Sequence, residues 1–71
     1  MKKLLMLGGA FSQVPAIKKA KKIGYYTITC DYLPNNIAHK YSDEYSNVSI
    51  MDKKAVLETA RKLHIDGIMS F

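Results

Sequence analysis

Apolar positions along the chain change period several times, and each change marks an element. Leu4 to Leu7 is continuously apolar and ends at Gly8-Gly9. A short run without alternation predicts a parallel strand buried on both faces. After the glycines the period lengthens. Ala16, Ile17, Ala20 and Ile23 fall on one helical face, with Lys18, Lys19 and Lys22 opposite. Ser12 or Gln13 can cap this helix, Pro15 suits its first turn, and Gly24 suits its end. Tyr25 to Cys30 is aromatic and β-branched, which predicts a second strand closed by Asp31.

Tyr32 to Ser46 is irregular, broken by Pro34-Asn35-Asn36. A stretch this long in a compact domain is expected to be functional or to contain a helical turn. Asn47 to Ile50 reads as a third strand. Asp52 then caps a second helix, whose buried stripe is Val56, Ala60 and Leu63. Glu58 and Lys62 are spaced for an i,i+4 pair. Asp66-Gly67 turns the chain into a fourth strand, Ile68 to Phe71.

The sequence β-α-β, loop, β-α-β predicts an α/β fold with an open parallel sheet of the Rossmann-like kind. Right-handed crossovers give strand order 3-2-1-4 and place one helix on each face. The direction in which successive strands are added across the sheet reverses between the first and fourth strands, which stay parallel. Ligands of open α/β sheets bind at such a switch point, beyond the strands' C-terminal ends. One wall is then the Gly8–Gln13 loop with the first helix's N-terminus, whose N–H groups favour a phosphate or carboxylate. A ligand-free tight turn accounts for Gly8 and Gly9 equally well. Asp31 reads as a solvated strand end or as a ligand contact. The other wall should follow strand four. One helix per face leaves much of a four-stranded sheet bare, so 71 residues read as one domain that is truncated or partnered.

Composition narrows the chemistry. Hydrophobic residues make up 48% of the chain, enough for a core. The formal charge of +5 comes largely from lysines on one helix face and at the N-terminus, a solvated pattern that argues against nucleic acid. A single cysteine, Cys30, excludes an internal disulfide and reads as a buried thiol. The opening Met1-Lys2-Lys3 and its apolar run resemble a signal peptide, but the run stops too soon. No stretch approaches the ~20 apolar residues of a membrane span. A cytoplasmic setting without membrane contact is the expectation.

Known motifs fit poorly. G-x-G-x-x-G would need glycine at Gly8, Ala10 and Gln13, and only the first matches, although Asp31 stands where a ribose-binding acid would. There is no phosphate-binding G-x-x-x-x-G-K-[ST] loop. His39 and His64 lack metal-ligand spacing with each other or with Cys30. Asp43 and Glu44 read as solvated loop. The five tyrosines could stack on bases, but strand and loop packing explains them equally well.

The order of short motifs is more informative. Leu5-Met6-Leu7-Gly8-Gly9, Gln13 and Ala20-Lys21-Lys22-Ile23-Gly24-Tyr25 resemble the N-terminal domain that precedes the ATP-grasp fold. Asp31-Tyr32-Leu33-Pro34-Asn35-Asn36 and Ala38-His39-Lys40-Tyr41-Ser42-Asp43 resemble that family's second-strand exit and following loop. Asp52 to Leu57 and Ile65 to Ile68 continue the match. The relatives it suggests are carbamoyl-phosphate synthase large-chain-like proteins, phosphoribosylglycinamide-type ligases and the biotin carboxylase group. The resemblance implies a carboxylate–amine ligase acting through an acyl phosphate, with ATP and Mg²⁺ bound by later ATP-grasp domains of the same chain. It implies substrate contacts at Gly8, Gly9, Ala10, Phe11, Asp31 and Pro34, a small carboxylate or phosphate substrate, and no catalytic residue in this segment. The alternative is a stand-alone anion- or nucleotide-binding or assembly module, with a homo-oligomer as one expected form and no chemistry of its own.

Overall fold

The computed structural model describes residues 1–70; Phe71, which the strand pattern assigns to the fourth strand, lies outside the described residues. Four strands, β1 (Lys3–Leu7), β2 (Tyr26–Asp31), β3 (Glu44–Asn47) and β4 (Gly67–Ser70), form one parallel sheet in the order β3-β2-β1-β4. Helices α1 (Val14–Lys22) and α2 (Lys53–Lys62) lie on opposite faces, as right-handed crossovers require. No helix among the described residues is long and apolar enough to cross a membrane.

The alternation of side chains along the strands divides the core in two. Leu4 and Met6 face α1 and pack with Val14, Ile17 and Ala20. Leu5, Ile28 and Cys30 face α2 and pack with Val56 and Ala60. Leu5, Met6, Ile17, Ile28 and Cys30 are fully buried. Ile23, expected in the first helix's stripe, is instead mostly exposed. It sits after the last helical turn, where the chain is already turning away.

Both helices end in the same way. After α1, the N–H of Gly24 bonds to Lys21 O (3.1 Å) and that of Tyr25 to Ala20 O (3.0 Å), with Gly24 at φ +100°. After α2, His64 N bonds to Arg61 O and Ile65 N to Ala60 O, both at 3.2 Å, and His64 takes the left-handed position at φ +54°. At its start α2 is capped as expected, by Ala55 N–H donating to Asp52 Oδ1 (3.1 Å). By contrast, α1 has no side-chain cap. It continues from a 3₁₀ turn at Phe11–Gln13, and Gln13 turns inward. Glu58 and Lys62 form no ion pair; Lys21–Asp43, at 3.6 Å, is the one present among the described residues.

Two expectations fail for one reason. The third strand lies at Glu44–Asn47, not at Asn47–Ile50. An edge strand has a single pairing partner, so side-chain anchors can set its position without apolar alternation. Here the Asp43 carboxylate accepts from Thr27 N–H (2.8 Å) and Thr27 O–H (3.0 Å), and Tyr26 O–H donates to Glu44 Oε1 (2.9 Å). The sheet is also less bare than two helices would leave it. The irregular segment folds back over β2 on the α1 side, with a 3₁₀ turn at Ile37–Lys40 that buries Ala38 among Leu4, Met6, Val14, Ile17 and Ala20. What stays open is β4. Ile68 is 50% exposed and Met69 36%, each on its own face of the sheet.

Candidate functional site

The polar half of β2 builds the site. Thr27, Thr29 and Asp31 alternate with Ile28 and Cys30, so they share the α1 face, and all three are buried. Buried polar groups need partners, and the irregular segment supplies them. Thr29 Oγ1 lies 2.7 Å from His39 Nδ1 and 2.9 Å from Ser42 Oγ. Thr27 holds Asp43 by both backbone and side chain. The cover over β2 is thus fixed by a row of hydrogen bonds.

Asp31 stands at the end of this row and is only 7% exposed. The solvated strand end expected for it is not what forms. Its Oδ2 accepts from Gly9 N–H (2.8 Å) and from Asn36 Nδ2 (2.8 Å), and its Oδ1 from Leu33 N–H (3.1 Å). Burial would raise its pKa, but the hydrogen bonds from Gly9, Leu33, Asn36 and the Tyr32 backbone outweigh that and hold the carboxyl below its ordinary value. Its main-chain carbonyl accepts from Tyr45 O–H (2.9 Å).

Gly8 and Gly9 form the facing wall. Gly8 takes φ +105°, and its N–H bonds to Cys30 O at 2.7 Å. Gly9 is buried, gives its N–H to Asp31 and accepts from Ala38 N–H (3.0 Å). The N–H groups of both glycines are therefore spent inside the protein. The outer turn, with Ala10, Phe11 and Ser12 exposed, is the part that faces solvent. Gln13 is buried behind it, with Nε2 donating to Leu7 O (3.0 Å) and Oε1 unpartnered.

Among the six residues proposed from sequence, Gly9 and Asp31 are brought into direct contact. Gly8 sets the bend between them. Ala10 and Phe11 lie exposed after β1, and Pro34 lies exposed after β2. Sequence reasoning missed His39, Asn36 and Thr29, which join the two walls. The signal was present in Thr27-Ile28-Thr29-Cys30-Asp31, a period-two polar face on a strand otherwise read as buried. Cys30 is fully buried, as expected, and burial, then the Asp31 charge, raises its thiol pKa. Tyr45 packs on His39, with ring centroids 3.9 Å apart, in keeping with a packing role for that tyrosine.

No family model matches this sequence, and no curated protein matches it. Solved structures do. N5-carboxyaminoimidazole ribonucleotide synthetase from Thermotoga maritima is similar over 100% of this chain, with 25% identity and a TM-score of 0.86. Phosphoribosylglycinamide synthetase from Anaerococcus prevotii is similar over 97%, with 30% identity and a TM-score of 0.86. N5-carboxyaminoimidazole synthetase from Staphylococcus aureus, solved in complex with ADP, is similar in fold over 97%, with 20% identity and a TM-score of 0.83. This chain spans 18–19% of the length of those proteins.

Proposed function

We propose, for a chain that carries the fold of the N-terminal, pre-ATP-grasp domain of the ATP-grasp ligases, that it is the substrate-side segment of an ATP-dependent carboxylate–amine ligase. In this reading a substrate carboxylate oxygen attacks the γ-phosphorus of ATP, forming an acyl phosphate and releasing ADP. The amine nitrogen then attacks the acyl carbon, expels inorganic phosphate and loses a proton to give the amide. ATP and Mg²⁺ are held by later domains. This segment offers the outer turn at Ala10–Phe11 and the exit at Asp31–Pro34 to the substrate, and it is inactive by itself.

The observation that carries the reading is the whole-chain likeness to synthetases about five times as long. The open flank of β4 supports it, because a parallel sheet requires cover on both faces. The test uses the longest product of the reading frame, screened against carboxylate and amine pairs for ATP-dependent phosphate release, with hydroxylamine added to trap an acyl phosphate. Phosphate release that needs both substrates, with hydroxamate formed when the amine is omitted, is the expected result. Absence of turnover with every pair sinks the ligase reading.

The same open flank also suits a non-catalytic assembly module. The mass of the 71-residue chain by light scattering separates the two. A defined oligomer favours the module; a monomer favours the ligase segment. The anion-binding variant of this second reading has less support, since the N–H groups of Gly8 and Gly9 are already bonded within the protein.

A further inference from the structure

We infer that His39 is a positioning residue for the substrate crevice, acting through Gly9 to fix the outer turn at Ala10–Ser12; this rests on the ligase reading above. The imidazole occupies the space a side chain at Gly9 would need. A Cβ built on Gly9 would lie 2.7 Å from His39 Nε2 and 3.1 Å from Asn36 Cβ. Such a contact cannot be accommodated without moving the ring, so the absence of a side chain at Gly9 and the presence of His39 are one feature.

The ring itself is held from three directions. Nε2 lies 3.0 Å from Leu33 O, and a carbonyl can only accept, so Nε2 carries the hydrogen. Nδ1 of the neutral ring then accepts from Thr29 O–H at 2.7 Å. Tyr45 packs against its face. Thr29 Oγ1 is in turn 2.9 Å from Ser42 Oγ, and Ser42 donates to Glu44 O at 3.0 Å.

Gly9 is consequently clamped by the Asp31 carboxylate on its N–H, by Ala38 N–H on its carbonyl and by His39 over its α-carbon. The next three residues are exposed and their direction follows from that clamp. His39 touches no substrate in this arrangement. It ties the turn after β1 to the exit after β2, and so fixes the outer turn that forms one wall of the crevice.

The experiment has two arms. In the first, thermal melts compare Gly9→Ala, His39→Ala and the double variant. The wedge predicts that Gly9→Ala is much less harmful when the ring is gone, so the double variant melts well above the additive expectation. Additive losses overturn the contact. In the second, the full-length protein is assayed by phosphate release on the carboxylate–amine pair found in the screen above. His39→Ala is expected to raise KM for the substrate seated on this segment by about tenfold or more, as a small misplacement does. KM for ATP, held on later domains, should stay within about twofold.

His39→Gln, which can still donate to Leu33 O, should recover part of that loss. His39→Asn, which preserves only the Thr29 side, should recover less. Equal rises in both KM values, or a fall in kcat alone, would remove the positioning role. Non-additive melts without turnover by the unaltered protein would instead preserve the wedge and overturn the ligase reading.

Discussion

His64 is a histidine in a glycine's position. It ends α2 at φ +54° with the same two hydrogen bonds that Gly24 uses to end α1. A left-handed residue with a Cβ costs about 1–2 kcal/mol, and glycine's extra freedom in the unfolded chain offsets part of any gain from removing it. His64→Gly is therefore expected to stabilise the chain by roughly 0.5–1 kcal/mol in urea denaturation, net of that entropy term. Gly24→Ala should do the reverse by a similar amount, through backbone strain alone, since nothing lies within 4 Å of a Cβ there. Asp31 gives a prediction with a sign. Its pKa in the folded chain is lowered, so its stabilising effect is complete above the ordinary carboxylate value near 4 and is lost as pH falls through the lower folded value. Asp43 is lowered in the same direction, first by the Thr27 N–H bond. The melting temperature should drop as pH falls below about 4. Asp31→Asn should melt lower at pH 7 and show a shallower drop, because an amide has one acceptor oxygen and cannot accept from Leu33 N–H in addition to Gly9 and Asn36 as the carboxylate does. An unchanged acid profile in that variant would show that Asp31 is not the group responsible.

At the scale of elements, the contrast between β2 and β3 shows what the sequence could disclose. The four strands, the two helices and the order 3-2-1-4 follow from period changes, caps and the handedness of crossovers, all of them local or general. The position of β3 does not. Val48 and Ile50 look more like strand than Glu44 to Asn47 do, yet the edge strand is placed by Asp43 on Thr27 and Glu44 on Tyr26, contacts 16 and 18 residues apart in sequence. The site was legible to the same degree. Gly8, Gly9 and Asp31 could be named from the strand ends, but their mutual bond and the part played by His39 depend on how Asn36–Tyr41 folds over the sheet. Thr29 is where that dependence can be measured. Thr29→Val keeps shape and strand propensity but removes the partner of His39 Nδ1 and Ser42 Oγ. Buried groups left unpaired typically cost about 1–3 kcal/mol. That loss should appear in denaturation, together with faster hydrogen exchange at Ala38 and Tyr41 and little change at Leu5 or Ile17. Protection lost equally across both faces would mean that the cover and the sheet unfold as one unit.

At the scale of the whole molecule, the two faces beside β4 carry the argument about what this chain belongs to. On the α1 side an apolar groove of about 330 Å³ is lined by Leu4, Ala16, Ala20, Ile23, Tyr25 and Met69, with Lys19 at its margin. On the α2 side a more open hollow of about 480 Å³ runs along Ala60, Arg61, His64, Ile65 and Ile68. If later parts of a longer ligase cover these faces, the same substitution must have different consequences in the two contexts. Ile68→Lys in the 71-residue chain changes a half-exposed side chain, and surface changes of that kind stay within about 0.5 kcal/mol. In the full-length protein the same lysine would have to be buried against added chain. There it should cost several-fold more, on the order of 2–4 kcal/mol, as uncompensated burial of a charge does. Met69→Lys tests the other face in the same way. Denaturation of both variants in both lengths gives four comparisons. A large length-dependent penalty at both sites means that the longer chain closes both faces. A penalty at Ile68 alone means that later elements of the chain cover the α2 side and leave the Met69 groove open. Equal, small effects in both lengths would mean that β4 remains an exposed edge, and the support that its open flank lends to the ligase segment would be withdrawn.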